Sequence, residues 1–443
     1  MTKIFEKELD WLRRVIDLRF KLYFNTDQEP EHQSIYQLKP PKVEGSSYAD
    51  LIGKHQLGFE ERLAIALCLA TYLCPQLLDV FFTRNKIFER PFTEFGGLVT
   101  DDQSGFIPTG ETLLFILAGS DISKKIKLLF LINEKLLKSG LVELLALNSN
   151  LPKQKGMLRL SQETEVHLLY DQAYHPEFSV NFPATRLSSQ LEWKEDLILP
   201  QRTKMQLEEI KLWIENRAQL LEEWKLEQKL RPGYRSLFYG PPGTGKKFTA
   251  SLLGKETGYE VYRINLSVII AKYIGETEKN LAKIFNTAAQ KNWILFFDEA
   301  DALLGKKTTI QNVHDGYANQ AISFLLQRLE TFAGISIFAI NLKDNIDEAF
   351  TRRFESLIYF PLPGPEQRFQ LWTNNLPHKD QQKVDSSIDF YEIAKKYELS
   401  GGAIMNVIRY ASLWAIANSG MITNPILVEG IRREYEKQGR IFS

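Results

Sequence analysis

The chain has 443 residues, of which 44% are hydrophobic and 25% are charged, so it can bury the cores of two or three domains and is neither disordered nor fibrous. Lysine plus arginine and aspartate plus glutamate both number 55, so no overall field draws the protein onto nucleic acid or an acidic membrane. We therefore expect neither nucleic acid nor a membrane as a partner.

The cysteines and the apolar segments indicate a cytoplasmic protein. Cys68 and Cys74 lie within one apolar stretch, which is typical of buried thiols in a reducing compartment. The uncharged apolar stretch at residues 63–78 is shorter than the roughly 20 apolar residues that span a bilayer. The N-terminus mixes charges of both signs and has no apolar signal core, so we expect no export.

Residues 1–190 are predicted to form a mainly helical N-terminal domain. In "LDWLRRVIDLRFKLYF" the apolar residues recur at three- and four-residue steps, which is typical of an amphipathic helix. Further helices are predicted near residues 61–73, 111–117 and 124–145, and "EFGGLVTDDQSGFIPTG" is rich in turn residues. These residues carry no motif of recognisable chemistry, so we expect this domain to bind a partner or substrate.

The second and third domains are predicted at residues 191–363 and 364–443. From Arg235 onward, short apolar runs alternate with helical patterns, and the runs are "SLFYG", "EVYRINL", "WILFFDEAD", "SIFAINL" and "LIYFPLP". This alternation predicts an α/β domain with a doubly wound parallel sheet. After Pro363 the pattern is helical throughout, which predicts a small helical lid domain.

The stretch "LFYGPPGTGKKFTA" contains a phosphate-binding motif. Gly240, Gly245 and Lys246 have the spacing G-x-x-x-x-G-K, directly after a strand and at the start of a helix. In such a loop the backbone N–H groups and the helix N-terminus bind phosphate oxygens, and the lysine reaches the terminal phosphates. The candidate nucleotide-binding residues are Gly240, Pro241, Pro242, Gly243, Thr244, Gly245, Lys246, Lys247 and Phe248.

Two carboxylates follow the strand "WILFFDEAD". Asp298 is a candidate magnesium ligand, and Glu299 is a candidate catalytic residue that orients or deprotonates the attacking water. The letters DEAD alone suggest a helicase, but no accompanying helicase signature is present. A zinc protease is also disfavoured, because none of the six histidines has the spacing H-E-x-x-H.

Four motifs together resemble those of the AAA+ ATPases, in the branch that includes spastin and katanin. They are "GPPGTGK", "FFDEAD", "FAINL" and "AFTRRFESLIYFPLP". The resemblance implies that Asn341 positions the lytic water and that Arg352 and Arg353 reach the nucleotide of an adjacent subunit. It therefore implies a homo-oligomeric ring, expected to be a hexamer, because a finger supplied in trans needs a repeated interface.

The segment "AKYIGETEKNLAKIF" resembles the first pore loop of these ATPases. The resemblance implies that Tyr273 and Ile274 grip a protein substrate, since aromatic and apolar side chains hold an extended chain without reading its sequence.

A narrower resemblance covers the chain from near residue 9 to about residue 415. "LDWLRRVIDLRFKLYF", "SGFIPTGETLLFILAG" and "LRPGYRSLFYGPPGTGK" are similar to the AAA+ ATPase encoded with bacterial extracellular contractile injection systems, which are phage-tail-like particles. This resemblance implies that the partners are injection-particle components or cargo.

Lys247 departs from the family pattern, because relatives carry threonine or serine at this position. An ammonium group cannot coordinate magnesium and repels a nearby cation. Either Lys247 points away and water completes the metal shell, or its charge replaces part of the metal's and pairs with phosphate or Asp298. The implied cofactors are thus ATP and Mg²⁺, with magnesium binding weakened.

The expected function is that of an ATP-binding AAA+ ring that remodels, assembles or disassembles protein complexes. The expected enzyme is an ATPase whose hydrolysis is slow or conditional because of Lys247. The alternative is a non-hydrolysing assembly factor that uses the nucleotide as a structural element.

Overall fold

The structure is a computed structural model. It describes residues 2–24, 33–87, 89–100, 103–146, 151–172, 174–179, 182–266, 277–301, 323–341, 348–377, 383–418 and 420–442. The chain divides into two compact units, residues 1–175 and 176–443.

The first unit is a helical assembly with three short antiparallel hairpins. Its helices are α1 (Thr2–Phe24), α2 (Ser47–His55), α3 (Phe59–Leu73), α4 (Gly110–Ala118), α5 (Ile122–Leu131) and α6 (Gln162–Tyr170). Its strands are β1 (Arg84–Asn85), β2 (Arg90–Pro91), β3 (Leu98–Thr100), β4 (Gln103–Ile107), β5 (Val142–Leu145) and β6 (Met157–Leu160). They pair as β1 with β2, β3 with β4 and β5 with β6. The mainly helical character predicted for this region is confirmed.

The core of the first unit follows the apolar periodicity of its helices. Trp11, Leu12 and Val15 of α1 are buried, as is most of α3. The amphipathic helix predicted in this part of the sequence is therefore confirmed, and the segment rich in turn residues contains the hairpin of β3 and β4.

The helix predicted over residues 124–145 is shorter than expected. After α5 a π-helical turn, Ile132–Leu137, leads into a turn at residues 138–140, and Val142–Leu145 is a strand. Val142 and Leu160 lie opposite each other in the ladder with β6, and both are buried. This non-local pairing with β6 outweighs the local helical pattern, a common outcome for short apolar runs.

The second unit contains a six-stranded sheet. Its strands are β7 (Ala184–Leu187), β8 (Tyr234–Tyr239), β9 (Glu260–Asn265), β10 (Trp293–Asp298), β11 (Ile335–Ile340) and β12 (Ser356–Tyr359). The spatial order is β12-β8-β11-β10-β9-β7. All neighbours are parallel except β7, which is antiparallel to β9. The predicted doubly wound sheet is confirmed, with β7 added at its edge.

Helices cover both faces of this sheet. The helices before the last strand include α7 (Trp193–Asp196), α8 (Gln201–Ala218), α9 (Lys246–Thr257), α10 (Thr277–Lys291) and α11 (Glu348–Thr351). Successive strand residues point to opposite faces, so Phe297 packs in one cluster with Phe285 of α10, whereas Phe296 packs in the other with Leu253 of α9. Because both faces are covered, the strands are almost continuously apolar, as the sequence indicates.

The position of β7 bears on the predicted boundary at residue 190. The compact units divide after residue 175, and Ala184 of β7 lies opposite Ile264 of β9 in the sheet ladder. Residues 176–190 thus fall within the unit that contains the sheet, and backbone pairing with β9 holds Ala184–Leu187 there.

The last helices have a hydrophobic cluster of their own. They are α12 (Pro365–Asn375), α13 (Phe390–Lys396), α14 (Gly401–Ala417) and α15 (Asn424–Lys437). Trp372, Ile404 and Leu427, from three of these helices, are fully buried together. The helical character predicted after residue 363 is confirmed.

Among the described helices, no single one is long and apolar enough to cross a membrane. The consecutive segments Phe59–Leu73 and Pro75–Phe82 reach that length and hydropathy only together, and they are bent by 104° at their junction.

Candidate functional site

A cleft of about 750 Å³ lies at the carboxyl ends of the parallel strands, where ligands bind in sheets of this kind. One side is formed by the loop after β8, which connects to α9, and by the ends of β10 and β11. The other side is formed by the segment before α8 and by helices α12 and α14. Most of the predicted site residues line this cleft, namely Pro242, Gly243, Thr244, Gly245, Lys246, Lys247, Phe248, Asp298, Glu299 and Asn341.

The loop between β8 and α9 adopts a conformation that needs glycine. Gly243 has φ of +75°, and a Cβ there would lie 2.7 Å from the Ser400 hydroxyl oxygen. Gly243 also accepts a backbone hydrogen bond of 2.9 Å from the N–H of Gly402, at the start of α14. The start of α14 therefore rests on the loop, and the loop begins α9 at Lys246.

Lys246 is held against the loop and the neighbouring strand. Its Nζ donates to the carbonyl oxygens of Gly240, at 2.7 Å, and Pro241, at 3.0 Å, and to Oδ1 of Asn341, at 3.3 Å. Burial lowers the pKa of this ammonium, while the nearby Asp301 and Asp298 carboxylates raise it. The predicted phosphate ligand and the predicted sensor thus meet in space, although they are far apart in sequence.

Asp298 already has partners for both oxygens. Its Oδ2 accepts from Nε of Arg263 at 2.8 Å, and its Oδ1 accepts from the backbone N–H of Glu299 at 3.1 Å. Arg263 lies on the adjacent strand β9, and the two side chains are 30% and 21% exposed. The Asp298 carboxylate therefore lines the cleft while it is paired with the guanidinium group of Arg263.

Glu299 has an unusual backbone conformation. Its φ of +55° is in the left-handed region, which non-glycine residues seldom adopt outside turns and functional sites. Its Oε2 accepts a 3.4 Å hydrogen bond from the side-chain amide of Asn265, the residue that ends β9. Two residues further on, Asp301 accepts the backbone N–H of Asn341 at 3.0 Å, which ties the ends of β10 and β11 together.

Lys247 lies at the edge of the cleft with an exposed side chain. Within the described part of the chain it makes no ion pair or hydrogen bond, so it does not pair with Asp298. Lys246 and Lys247 are the first two residues of α9, whose first turn contains no acidic residue. Two cations at the positive end of a helix dipole favour an anion there.

Asp298, the predicted magnesium ligand, already accepts hydrogen bonds on both oxygens. The hydroxyl that would follow Lys246 is replaced by the ammonium of Lys247, and Asp298 is engaged by Arg263. The hydroxyl of Thr249, further along α9, is buried and has no hydrogen-bond partner among the described residues. It is two residues from Lys247, about 200° around the helix, so it does not take the missing position.

Apolar side chains form the other wall of the cleft. Leu199 precedes α8, Leu371 lies on α12, and Met405 lies on α14. The cleft thus has one apolar and one cationic part.

Arg352 and Arg353 do not line this cleft. Arg353 forms a 2.9 Å ion pair with Glu330 of the same chain, whereas Arg352 is exposed and has no partner among the described residues. They follow α11, at the start of the turn into β12. Tyr273 and Ile274 lie outside the described residues, so their predicted position in a pore loop stays a prediction.

Comparison with protein-family models gives a match over residues 236–362 to the ATPase family associated with various cellular activities (AAA). The chain contains an AAA domain. This match covers the phosphate-binding loop, both carboxylates, Asn341 and the paired arginines.

Several proteins are similar to the AAA domain and its surroundings. Cell division protein C of Sulfolobus acidocaldarius is 32% identical over 220 residues, which are 46% of this chain and 58% of that protein. A katanin p60 ATPase-containing protein of Homo sapiens is 33% identical over 42% of this chain and 40% of its own length. Vacuolar protein sorting-associated protein 4A of Rattus norvegicus is 31% identical over 42% of this chain and 43% of its own length. The chain thus spans about half the length of these relatives.

A solved structure, the crystal structure of the FIGL-1 AAA domain, is 22% identical and has a TM-score of 0.46. The alignment covers 56% of this chain and 85% of the FIGL-1 chain.

Sequence reasoning missed two polar groups that hold the carboxylates of the AAA domain. Arg263 and Asn265 both lie on β9 and bind Asp298 and Glu299 respectively. A signal was present, because "YRIN" places polar residues at alternate positions of an otherwise apolar strand. Their partners depend on β9 lying next to β10, which the chain order alone does not specify.

Proposed function

We propose that this protein is an ATP-binding AAA+ ring that uses ATP hydrolysis to remodel, assemble or disassemble protein complexes. The observation that supports the proposal is the single cleft shared by the phosphate-binding loop, Lys246, Asp298, Glu299 and Asn341. Together they provide a cationic phosphate site, a carboxylate for the water and a polar side chain to position it.

The chemistry assigned to each residue follows from its place in the cleft. Lys246 moves from the loop carbonyls to the terminal phosphates, and Asn341 is already within 3.3 Å of it. Glu299 accepts a proton from the attacking water while the water oxygen forms a bond to the γ-phosphorus. The bond to the β-phosphate oxygen then breaks, and ADP and phosphate are released.

Lys247 is proposed to slow this hydrolysis. A misplaced or missing electrostatic partner of the transition state costs about two to three orders of magnitude in rate. The alternative, a non-hydrolysing assembly factor, remains the second candidate because Lys247 and the Arg263–Asp298 pair both disturb the metal position. Phosphate release by the wild type, by Lys247→Thr and by Glu299→Gln separates the two. A wild-type rate equal to that of Glu299→Gln favours the alternative.

The ring is proposed to be a hexamer, with arginines acting on the neighbouring subunit's nucleotide. Arg352 is the better placed of the two, because Arg353 would first have to leave Glu330. Mass measurement in solution with saturating ATP is expected to give a hexamer. A strictly monomeric protein at high concentration would contradict the ring.

Tyr273 and Ile274 are proposed to contact the protein substrate, on the sequence resemblance alone. The Tyr273→Ala variant is expected to bind nucleotide with unchanged affinity but to lose the ability to remodel its protein substrate. Equal loss of both activities would show that Tyr273 serves the nucleotide site instead.

The proposed partners are components or cargo of a contractile injection particle, in the cytoplasm. The support is the resemblance of the first unit and of the loop region to the ATPases encoded with such particles. A pulldown of particle components by the full-length protein, compared with a chain that begins at residue 176, tests this assignment.

A further inference from the structure

We infer that the cleft binds the phosphates of a nucleotide without requiring a divalent cation, and that Arg263 is the residue that makes this possible. The inference rests on the proposed nucleotide binding and concerns how the charges of that site are balanced.

Arg263 lies on β9, opposite Phe296 of β10 in the ladder, and its side chain reaches along the strand to Asp298. Arg263 does not itself line the cleft, whereas Asp298 does. Arg263 is thus a positioning residue that acts through Asp298. A carboxylate held at 2.8 Å by a guanidinium group has its charge largely compensated.

The start of α9 carries an excess of positive charge. Lys246 and Lys247 both line the cleft, beside the positive end of the helix dipole. Among the described residues, Asp298 is the lining carboxylate that is paired with a cation, the guanidinium group of Arg263. Glu299 and Asp196 accept hydrogen bonds from neutral groups, the side-chain amide of Asn265 and the backbone N–H of Glu192. Such a cation would be repelled by Lys247 and would have to displace Arg263 from Asp298.

Lys247 and Arg263 together change how the charge of the bound phosphates is balanced. In an ordinary site, a cation binds both the phosphates of the nucleotide and an aspartate that has no other charged partner. Here Lys247 supplies positive charge next to the phosphates, and Arg263 removes the aspartate's repulsion of them. The same phosphates are therefore bound by fixed charges of the protein.

The test measures thermal unfolding of the full-length protein with ADP, in excess magnesium and in EDTA. ADP is expected to raise the unfolding temperature of the wild type by the same amount in magnesium and in EDTA. Arg263→Gln is expected to lose at least about tenfold of its ADP affinity in EDTA, the equivalent of about 1.4 kcal/mol, because Asp298 then faces the phosphates uncompensated. It is expected to regain that affinity with magnesium.

Two further variants show whether the effect of Arg263→Gln comes from the lost charge or from a disturbed sheet. Arg263→Lys keeps the charge and should restore the metal-independent affinity. Arg186→Gln removes a similar pair, that of Arg186 with Glu260 at 3.1 Å on the adjacent strands β7 and β9, and should behave as the wild type. An unchanged ADP affinity of Arg263→Gln in EDTA would refute the role of Arg263, and if this variant fails to fold, Arg263→Met takes its place in the same comparison.

Stabilisation of the wild type by ADP that disappears in EDTA would overturn the inference and leave the proposed nucleotide binding intact. Absence of stabilisation under both conditions would instead refute the proposed nucleotide binding, and with it the inference.

Discussion

The two ends of the six-stranded sheet each carry an arginine–carboxylate pair, and the pairs differ in their surroundings. At the amino end, Arg235 of β8 binds Glu355 through Nε and Nη2, at 3.0 and 2.6 Å. Its Nη1 donates to the carbonyl oxygens of Pro232 and Leu329. At the carboxyl end, Arg263 reaches Asp298 through Nε at 2.8 Å.

This difference separates a structural pair from a pair that serves a site. Arg235 is 5% exposed, and each of its side-chain nitrogens donates to the protein. Asp298, in contrast, lines the cleft beside Lys246 and Glu299. Similar chemistry therefore stabilises the fold at one end and adjusts the charge of the cleft at the other.

The largest expected effect is at the amino end. Arg235→Gln should lower the free energy of unfolding by about 3 kcal/mol, because it removes a buried guanidinium group that binds Glu355 and two backbone carbonyl oxygens. Urea denaturation measures the change. The more exposed pair of Arg186 and Glu260 provides the control, since Arg186→Gln should cost at most about 1 kcal/mol. Equal losses in the two variants would refute the distinction.

The next effect is catalytic. Lys247→Thr should raise the rate of phosphate release by about 10²-fold or more, because it restores a hydroxyl where the transition state needs an electrostatic partner. Steady-state phosphate release with magnesium and ATP measures it. Lys255→Thr changes a lysine in the last turn of the same helix that pairs with Glu192 outside the cleft, and it should leave the rate unchanged. An unchanged rate in Lys247→Thr would show that Lys247 has no part in hydrolysis.

A smaller effect is expected at the contact between the loop and α14. Gly243 and Gly258 have φ of +75° and +72°, but only at Gly243 does a Cβ meet another side chain, that of Ser400. Alanine at either position should cost about 1–2 kcal/mol of stability through the backbone. Only Gly243→Ala should also weaken nucleotide binding, by about tenfold. Similar nucleotide affinities in the two variants would mean that the contact with α14 does not shape the cleft.

The smallest effect is a pH dependence of nucleotide binding. Burial lowers the pKa of Lys246, and phosphates bind its protonated form. As pH rises through this lowered pKa, the ammonium loses its proton and affinity falls, at a lower pH than for an ordinary lysine at about 10.4. Nucleotide titrations above pH 7 measure this fall. Lys246→Arg keeps its charge, so its affinity should stay level there, and an equal fall in both would assign the pH dependence to another group.

Much of the AAA domain was predictable from the sequence, because its signals are local. The spacing of Gly240, Gly245 and Lys246 predicts a phosphate-binding loop between a strand and a helix, and the structure has β8 before it and α9 after it. The apolar run before Asp298 predicts a buried strand, and β10 is buried on both faces.

Elements that depend on distant pairing were harder to predict. Val142–Leu145 is apolar enough to continue the preceding helix, and it forms a strand only because Met157–Leu160 provides a partner. Ala184–Leu187 likewise joins the main sheet through β9 rather than the preceding unit. A four-residue segment has too little periodicity to choose between these states by itself.

The sequence by itself determined the fold class of the second unit and the set of groups available for phosphate chemistry, since both follow from local spacing and residue type. Only the tertiary structure decided how those groups are paired. Asp298 could face a metal ion, Lys247 or Arg263, and the parallel alignment of β9 with β10 brings Arg263 to it. The physical reason is that the charge of a site depends on which side chains lie within a few ångströms, and strand order sets those distances.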